Sequence, residues 1–373
     1  MPIEALRLSA SMGRRGSRPR TDDATKRGMM ATMQDVAEAA GVSLSTVSYA
    51  LNGKRPISDE TRDRVGAAIE RLGYTPNAAA RTLAARRSHV LALVLPPVAG
   101  GLGATIGQFI EGATATAEQA GYTLVIWPFS ASQRGKIDEL ARRGLADGVL
   151  VMEVSLDDPR IDALEQAGVP VAMIGRTRAL EGRAWVDVDF EATVADAVDR
   201  LVALGHRHVA LINHSQALLD DLYGPAVRTR DAFAEAARRH GLVAQHMPCD
   251  ETPVAGQAAV AAILAADPAV TAFVTLNETA TFGVVAELAH RRRPIPDAVS
   301  VLGIATSPLI STMSTPPLTS LQIPGADLGR AAVVELVGLI EHRPPREHSR
   351  LIPCTFADGG SLAPAAPTTT ESE

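Results

Sequence analysis

Cysteine is scarce in this chain: Cys249 and Cys354 are the only two in 373 residues. They lie far apart and lack metal-ligand spacing, which argues against a disulfide framework or a zinc cluster and leaves both as unpaired core or surface thiols. Long apolar runs are missing as well. None reaches the roughly 18 residues that a membrane span requires, so no membrane partner is expected. The hydrophobic share of 46% suits a globular fold. An export signal is not seen either: the opening MPIEALRLSASMGRRGSRPRTDD puts its arginines behind a weak apolar patch, the reverse of a signal peptide, and a cytoplasmic location is expected. The chain also holds no GxSxG, no Walker loop, no Cys/His cluster and no GxGxxG after a strand. No catalytic residue, metal or cofactor is therefore expected. His206, His208 and His214 are close in sequence, but strand and turn geometry would scatter them, and they are read as solvated or hydrogen-bonded.

What is present begins with DVAEAAGVSLSTVSYALN at Asp35–Asn52. Helical spacing puts Val36, Ala37 and Ala40 on one face, Gly41 permits a tight turn, and Val42, Val47 and Leu51 close a small core. Ser43 is suited to cap the second helix. On that helix Ser45, Ser48, Tyr49 and Asn52 form one polar, uncharged stripe roughly opposite Val47 and Leu51. Such a stripe can exchange hydrogen bonds with base edges, and a helix fits the major groove, so the pattern reads as a helix-turn-helix. It also fits an ordinary helical hairpin whose outer face meets water. After the basic turn Gly53-Lys54-Arg55-Pro56, Ser58 caps a third helix with Asp59 and Glu60 in its first turn. Val65, Ala68, Ile69 and Leu72 are expected on its apolar face, and Gly73 can stop it. Asn77 can then cap a short segment, AAARTLAARR, whose one large apolar residue is Leu83.

These stretches, with SDETRDRV at Ser58–Val65 and LGYTPNAAARTLA at Leu72–Ala84, resemble the DNA-binding headpiece and hinge of the LacI/GalR (lactose-repressor) family of transcription regulators. The resemblance implies that residues 32–76 form the headpiece and that Thr32, Met33, Ser43, Leu44, Ser45, Thr46, Ser48, Tyr49, Asn52 and Lys54 meet operator DNA. It further implies a hinge helix over residues 77–88 that folds when two copies meet in the minor groove. Asn77 and Ala80 would contact DNA there, and Leu83 would wedge into a central base step.

Charge divides the chain. Residues 1–88 carry 15 Lys and Arg against 9 Asp and Glu, a net +6, so with −6 for the whole chain residues 89–373 are −12. Only the N-terminal part suits phosphate. Residues 1–31, with 7 Lys and Arg against 3 Asp and Glu and no sustained periodicity, are expected to be a disordered basic extension. Beyond the hinge, strand-like runs at Val90–Pro96, Tyr122–Trp127, Gly148–Glu153, Val169–Gly175, His208–Asn213, Thr271–Leu276 and Ser300–Ile304 alternate with helical stretches, among them IDELARRGL, EATVADAVDRLVALG, RDAFAEAARRHG and ETATFGVVAELAH. That rhythm predicts parallel sheets wrapped by helices, an α/β class whose ligands bind at the carboxyl ends of strands. Through VALGHRHVALINHS (Val202–Ser215) and PPLTSLQIPGADLGRAA (Pro316–Ala332), residues 89–363 resemble the family's effector-binding and dimerisation core, two α/β lobes similar to periplasmic sugar-binding proteins. The tail, 364–373, lacks core formers and is expected to be disordered.

The core departs from the family pattern at its ligand positions. Asn277-Glu278 stands where Asn-Asp is usual, Ala305 and Thr306 replace two aspartates, and the arginine motif survives only as VRTRDAF, with Arg228 and Arg230 out of register. The effector residues implied are Gln108, Arg176, Arg228, Arg230, Glu278 and Thr306, with the glycine-rich VAGGLGAT (Val98–Thr105) as a flexible rim of the cleft or a plain loop. The sequence thus points to a homodimeric, nucleoid-associated regulator, a repressor by resemblance, that binds a palindromic operator under a small-molecule effector. A small-molecule-binding protein without DNA function, an effector-independent regulator and an α/β enzyme are the competing readings.

Overall fold

The computed structural model describes residues 31–52, 55–74, 87–96, 103–128, 135, 139–140, 143–343 and 350–365. The expected extension through residue 30, Lys54, most of the hinge with Asn77, Ala80 and Leu83, most of the glycine-rich rim and the tail from residue 366 lie outside the described residues. The chain divides into two units, residues 1–85 and 86–373.

The first unit is a three-helix headpiece. Helix α1 (Met33–Ala40) starts at a capping box: the Thr32 hydroxyl accepts from Asp35 N at 3.3 Å and the Asp35 carboxylate accepts from Thr32 N at 2.7 Å. Gly41, at φ 63°, takes the left-handed turn that a side chain would resist. Helix α2 (Leu44–Asn52) follows, with Ser43 Oγ accepting from Thr46 N at 3.2 Å, and α3 (Asp59–Leu72) is capped by Ser58. Val36, Ala37, Ala40, Val47, Val65 and Ala68 are buried together. The core also takes Tyr74, which the apolar spacing of α3 does not reveal, whereas Leu72, expected inside, is exposed. Gly73 turns the chain at φ 59° just after Leu72, and Tyr74 folds back into that space.

The second unit holds two six-stranded sheets. In the first, β1 (Val90–Leu95), β2 (Thr123–Pro128), β3 (Gly148–Val151), β4 (Val171–Ile174), β5 (Ala184–Val188) and β11 (Arg350–Ile352) run parallel in the order β11-β5-β4-β3-β1-β2. Helices α4 (Ala104–Gln119) and α5 (Pro159–Gln166) connect strands of this lobe. The second sheet contains β6 (His208–Ile212), β7 (Val243–Met247), β8 (Ala272–Thr275), β9 (Ser300–Thr306), β10 (Thr319–Gln322) and β12 (Thr355–Ala357), ordered β12-β10-β9-β8-β6-β7, with only β12 antiparallel to its neighbour. Helices α6 (Phe190–Ala203), α7 (Gln216–Asp220), α8 (Gly224–His240), α9 (Pro253–Ala266), α10 (Glu278–His290) and α11 (Pro308–Met313) belong to this second lobe. The chain then returns with α12 (Gly325–Ile340), which packs on α4, β3, β4 and β5 of the first. It passes between lobes three times, at Val188–Phe190, Gln322–Gly325 and Ile352–Thr355. The central strands are buried on both faces, the mark of a sheet sandwiched between helices. The packed region reaches two residues past the expected boundary, since Ala365 N donates to Leu204 O at 2.8 Å.

Candidate functional site

Two surfaces carry the candidate residues. On the headpiece, the start of α2 is its most open part: Leu44 is 47% exposed, Ser45 is exposed, and Thr46, Ser48 and Tyr49 are half-buried. Ser43 Oγ lies 2.8 Å from both Ser45 Oγ and Thr46 Oγ1, so a small hydroxyl cluster sits at the positive end of the helix. The Arg55 guanidinium lies 5.9 Å from the centre of the Tyr49 ring, a cation held beside the polar stripe. Thr32 and Met33, expected at DNA, begin α1, where the Thr32 hydroxyl is used as a cap.

In the two-lobed unit the candidate residues gather at the carboxyl ends of strands, where the lobes face each other. Arg176 lies just beyond β4, Asp187 near the end of β5, and Arg228 on α8 of the other lobe. Asp187 Oδ2 is 3.3 Å from Arg176 Nε and 3.6 Å from Arg228 Nη1, while Arg228 Nη2 donates to the Arg176 carbonyl at 2.7 Å. Arg176 also donates from Nη2 to both Glu191 carboxylate oxygens, at 2.6 and 2.8 Å. Burial pushes the Asp187 carboxyl up to about 7 in spite of the two guanidinium groups, and burial lowers Arg228 from its ordinary value. Among the described residues, Asp187 Oδ2 and Arg228 Nη1 are buried without a hydrogen-bond partner, as is Gln108 Oε1 on α4. An acceptor and a donor facing each other at that spacing suit a bridging hydroxyl, which can serve both.

Of the remaining expected effector residues, Arg230 turns away to Asp231 at 2.8 Å and is half-exposed, so the geometry joins Arg228 to Arg176 and leaves Arg230 apart. Thr306 is buried at the end of β9, its hydroxyl donating to Ile304 O at 3.3 Å. Glu278, in the first turn of α10, accepts at Oε1 from Thr105 Oγ1 at 2.8 Å and from Ser307 N at 2.6 Å.

Sequence reasoning missed four participants. Asp187 is one; Tyr223, Glu153 and Arg160 are the others. Tyr223 hydrogen-bonds Glu153 and meets the His214 ring edge-on at 5.5 Å, with its hydroxyl held well above the ordinary range by burial and by the Glu153 charge. Glu153 takes φ 54°, a strained position for a side-chain-bearing residue. The buried Arg160 guanidinium fixes that bend by donating to the carbonyls of Met152 and Glu153 at 3.0 and 2.7 Å, and to Asp158 at 2.6 Å. A charged pair two residues apart after a strand, Asp158 and Arg160, was a usable signal; the partner of Tyr223 was not.

The three histidines do scatter: His206 meets Thr271, Ser300 and the Ala363 carbonyl, His208 meets Asp267, and His214 meets Glu251. No cluster that could hold a metal ion occurs among the described residues, and none of their helices is long and apolar enough to cross a membrane. Both cysteines are free, and burial raises each thiol to about 11.

Comparison with known proteins agrees with this geometry. Residues 32–77 match the bacterial regulatory proteins of the lacI family, and residues 198–362 match a periplasmic binding protein-like domain. The chain is 27% identical over 310 residues to catabolite control protein A of Priestia megaterium, covering 82% of this chain and 91% of that one. Among solved structures, a lac repressor dimer bound to operator and the anti-inducer ONPF superposes with a TM-score of 0.78 at 23% identity, over 90% of this chain and all of that one. A CelR–cellobiose complex gives 0.65 at 27% identity, over 89% and 99% of the two chains. The HTH-type transcriptional regulator CelR of Thermobifida fusca is 31% identical over 326 residues, 83% of this chain and 92% of that one. Likeness at that level over 83% of this chain and 92% of that one, with residues 32–77 and 198–362 matched in place, makes this chain a member of the LacI family of bacterial regulatory proteins.

Proposed function

We propose that the chain is a homodimeric, sequence-specific repressor that reads a palindromic operator with α2 and answers to a small-molecule effector held between its lobes. The observation that carries the reading is the Ser43-capped α2, with Leu44 and Ser45 exposed on an independently packed three-helix core. A helix that presents short hydroxyls and one tyrosine can dock in the major groove and discriminate base edges. The operator-bound lac repressor dimer and the cellobiose complex of CelR support the two halves of the proposal. The relatives are regulators, which supports a role without catalysis, and action at DNA would be consistent with a location in the cytoplasm, at the nucleoid. Selection of bound sequences from random duplexes by the full chain tests it: an enriched inverted repeat is expected, and recovery of no preferred sequence would leave only a small-molecule-binding protein.

A second reading, a regulator that needs no effector, is favoured by one observation. Glu278 Oε1 is already engaged twice, by Thr105 and by Ser307. Calorimetric titration with a panel of small metabolites, modified sugars among them as well as common mono- and disaccharides, separates the two readings, because an effector-independent chain would bind none.

A further inference from the structure

Glu278 sits in the first turn of α10 in the second lobe, yet one of its two donors comes from the first lobe. Thr105, at the start of α4, donates its hydroxyl hydrogen to Glu278 Oε1 at 2.8 Å, and the backbone N–H of Ser307 donates to the same oxygen at 2.6 Å. We propose that Glu278 is an internal clasp that holds the two lobes together across the cleft when no small molecule is bound. The clasp rests on the reading of this cleft as the place where an effector acts.

Three features make the carboxylate fit for that task. Its backbone is fixed, because the Asn277 side chain, 1% exposed, donates to Cys249 O at 3.0 Å and accepts from Ala280 N at 3.0 Å. Its charge lies at the N-terminal end of α10, where the helix dipole favours an anion. Its acceptor is a carboxylate oxygen, which makes a shorter and stronger hydroxyl hydrogen bond than a neutral carbonyl does. Length completes the argument. An aspartate at this position would be one methylene shorter, and from the same fixed backbone its oxygen could not meet Ser307 N and Thr105 Oγ1 together. On the other side of the cleft the lobes also touch through polar groups: Arg228 donates to the Arg176 carbonyl at 2.7 Å, Gly224 N to Val154 O at 3.0 Å and Leu156 N to Leu222 O at 2.8 Å, so Thr105–Glu278 closes the edge that faces these contacts. An effector that enters must therefore part the Thr105–Glu278 contact or leave it in place and bind beside it.

The test uses the full chain without DNA or ligand. Spin labels at the exposed positions 118 and 297, one per lobe, are measured by pulsed dipolar spectroscopy, with labelled chain diluted into unlabelled chain. The parent should give one narrow distance distribution. Thr105→Val, which removes the donor at nearly constant volume, and Glu278→Asp, which shortens the acceptor, should each broaden it and shift it to longer distances. Glu278→Gln keeps a carbonyl acceptor at the same reach but loses the charge, and should fall between the parent and Glu278→Asp. Circular dichroism melts check that each variant is folded. A folded Thr105→Val chain with the parent distribution would overturn the clasp, and so would a Glu278→Gln chain as open as Glu278→Asp. Neither outcome touches the DNA-binding proposal, which stands or falls on operator selection.

Discussion

Asp187 shows how one residue can set the behaviour of the cleft. Its carboxylate faces Arg176 and Arg228 but is buried, and burial wins, raising the group to about 7. Because the folded value lies above that of an unfolded aspartate, the folded chain keeps a proton that the unfolded chain has already lost. The stability this contributes is fully present below about pH 4 and is lost as the pH rises through about 7, at no more than about 1.4 kcal/mol per pH unit. Urea midpoints measured from about pH 5 to about pH 8 should fall more steeply for the parent than for Asp187→Asn, which cannot titrate. Equal slopes would show that Arg176 and Arg228 hold the group ionised. On the exposed side of α2, base selection is proposed to rest on Ser45 and Tyr49. Each substitution to Ala should alter the preferred operator, with a base-reading contact worth about 1–3 kcal/mol of discrimination. Lys54→Ala should weaken all duplexes alike and lower the salt dependence, as loss of a phosphate contact does. Competition binding against single-base operator variants distinguishes them. Among single residues, the caps Ser43 and Ser58 and the scatter of the histidines were legible from sequence. Asp187 was not, because its partners come from two other elements, brought together only by the fold.

At the scale of elements, the two lobes rest on the same device: pairs of helices that cross so closely that only glycine fits. A Cβ on Gly112 of α4 would overlap the Ala326 carbonyl of α12, and one on Gly329 of α12 would overlap the Phe109 carbonyl in return. In the second lobe Gly256 of α9 meets Ala280 of α10, and Gly283 of α10 meets Pro253. The obstacle in each case is backbone, which cannot move aside without separating the helices. Gly112→Ala should therefore destabilise the core by about 1–3 kcal/mol or more, despite the better helix propensity of alanine, and Gly338→Ala, where no atom would be met, should not. Chemical denaturation of the two variants decides this; a neutral Gly112→Ala would mean that α12 can shift. Periodicity could not announce these contacts. Helix α9 reads VAGQAAVAAILAA, apolar on most of its circumference, so no polar face marks it as a surface helix. Strands β5 (AWVDV) and β7 (VAQHM) escaped for the opposite reason, since polar residues interrupt them, and β2, although recognised, is an edge strand whose Val125 and Ile126 stay exposed. The central strands were legible because burial on both faces demands unbroken apolar runs.

For the whole molecule the decisive question is what the cleft accepts, and its chemistry argues against an unmodified hexose held by acidic residues at Glu278, Ala305 and Thr306. Glu278 gives one oxygen to both Thr105 and Ser307, Ala305 has no acceptor in its side chain, and the Thr306 hydroxyl is buried against Ile304 O. Each charged hydrogen bond withdrawn from a sugar removes about 1.5–3 kcal/mol, so the loss of one or two lowers affinity at least about tenfold. What remains available lies on the opposite side, where the buried Asp187 Oδ2 and Arg228 Nη1, 3.6 Å apart, each lack a hydrogen-bond partner although Arg176 Nε stands 3.3 Å from the carboxylate. That pair suits one hydroxyl, and with Gln108 Oε1 also unsatisfied it favours a ligand that is smaller, less hydroxylated or modified. Calorimetric titration of the full chain should therefore find no micromolar binding of common unmodified hexoses. For whatever ligand does bind, Arg228→Ala should abolish the heat, whereas Glu278→Gln should change affinity by less than about threefold, a difference of under about 0.7 kcal/mol. Micromolar binding of a simple hexose that disappears in Glu278→Ala would show instead that the sugar takes the carboxylate away from Thr105.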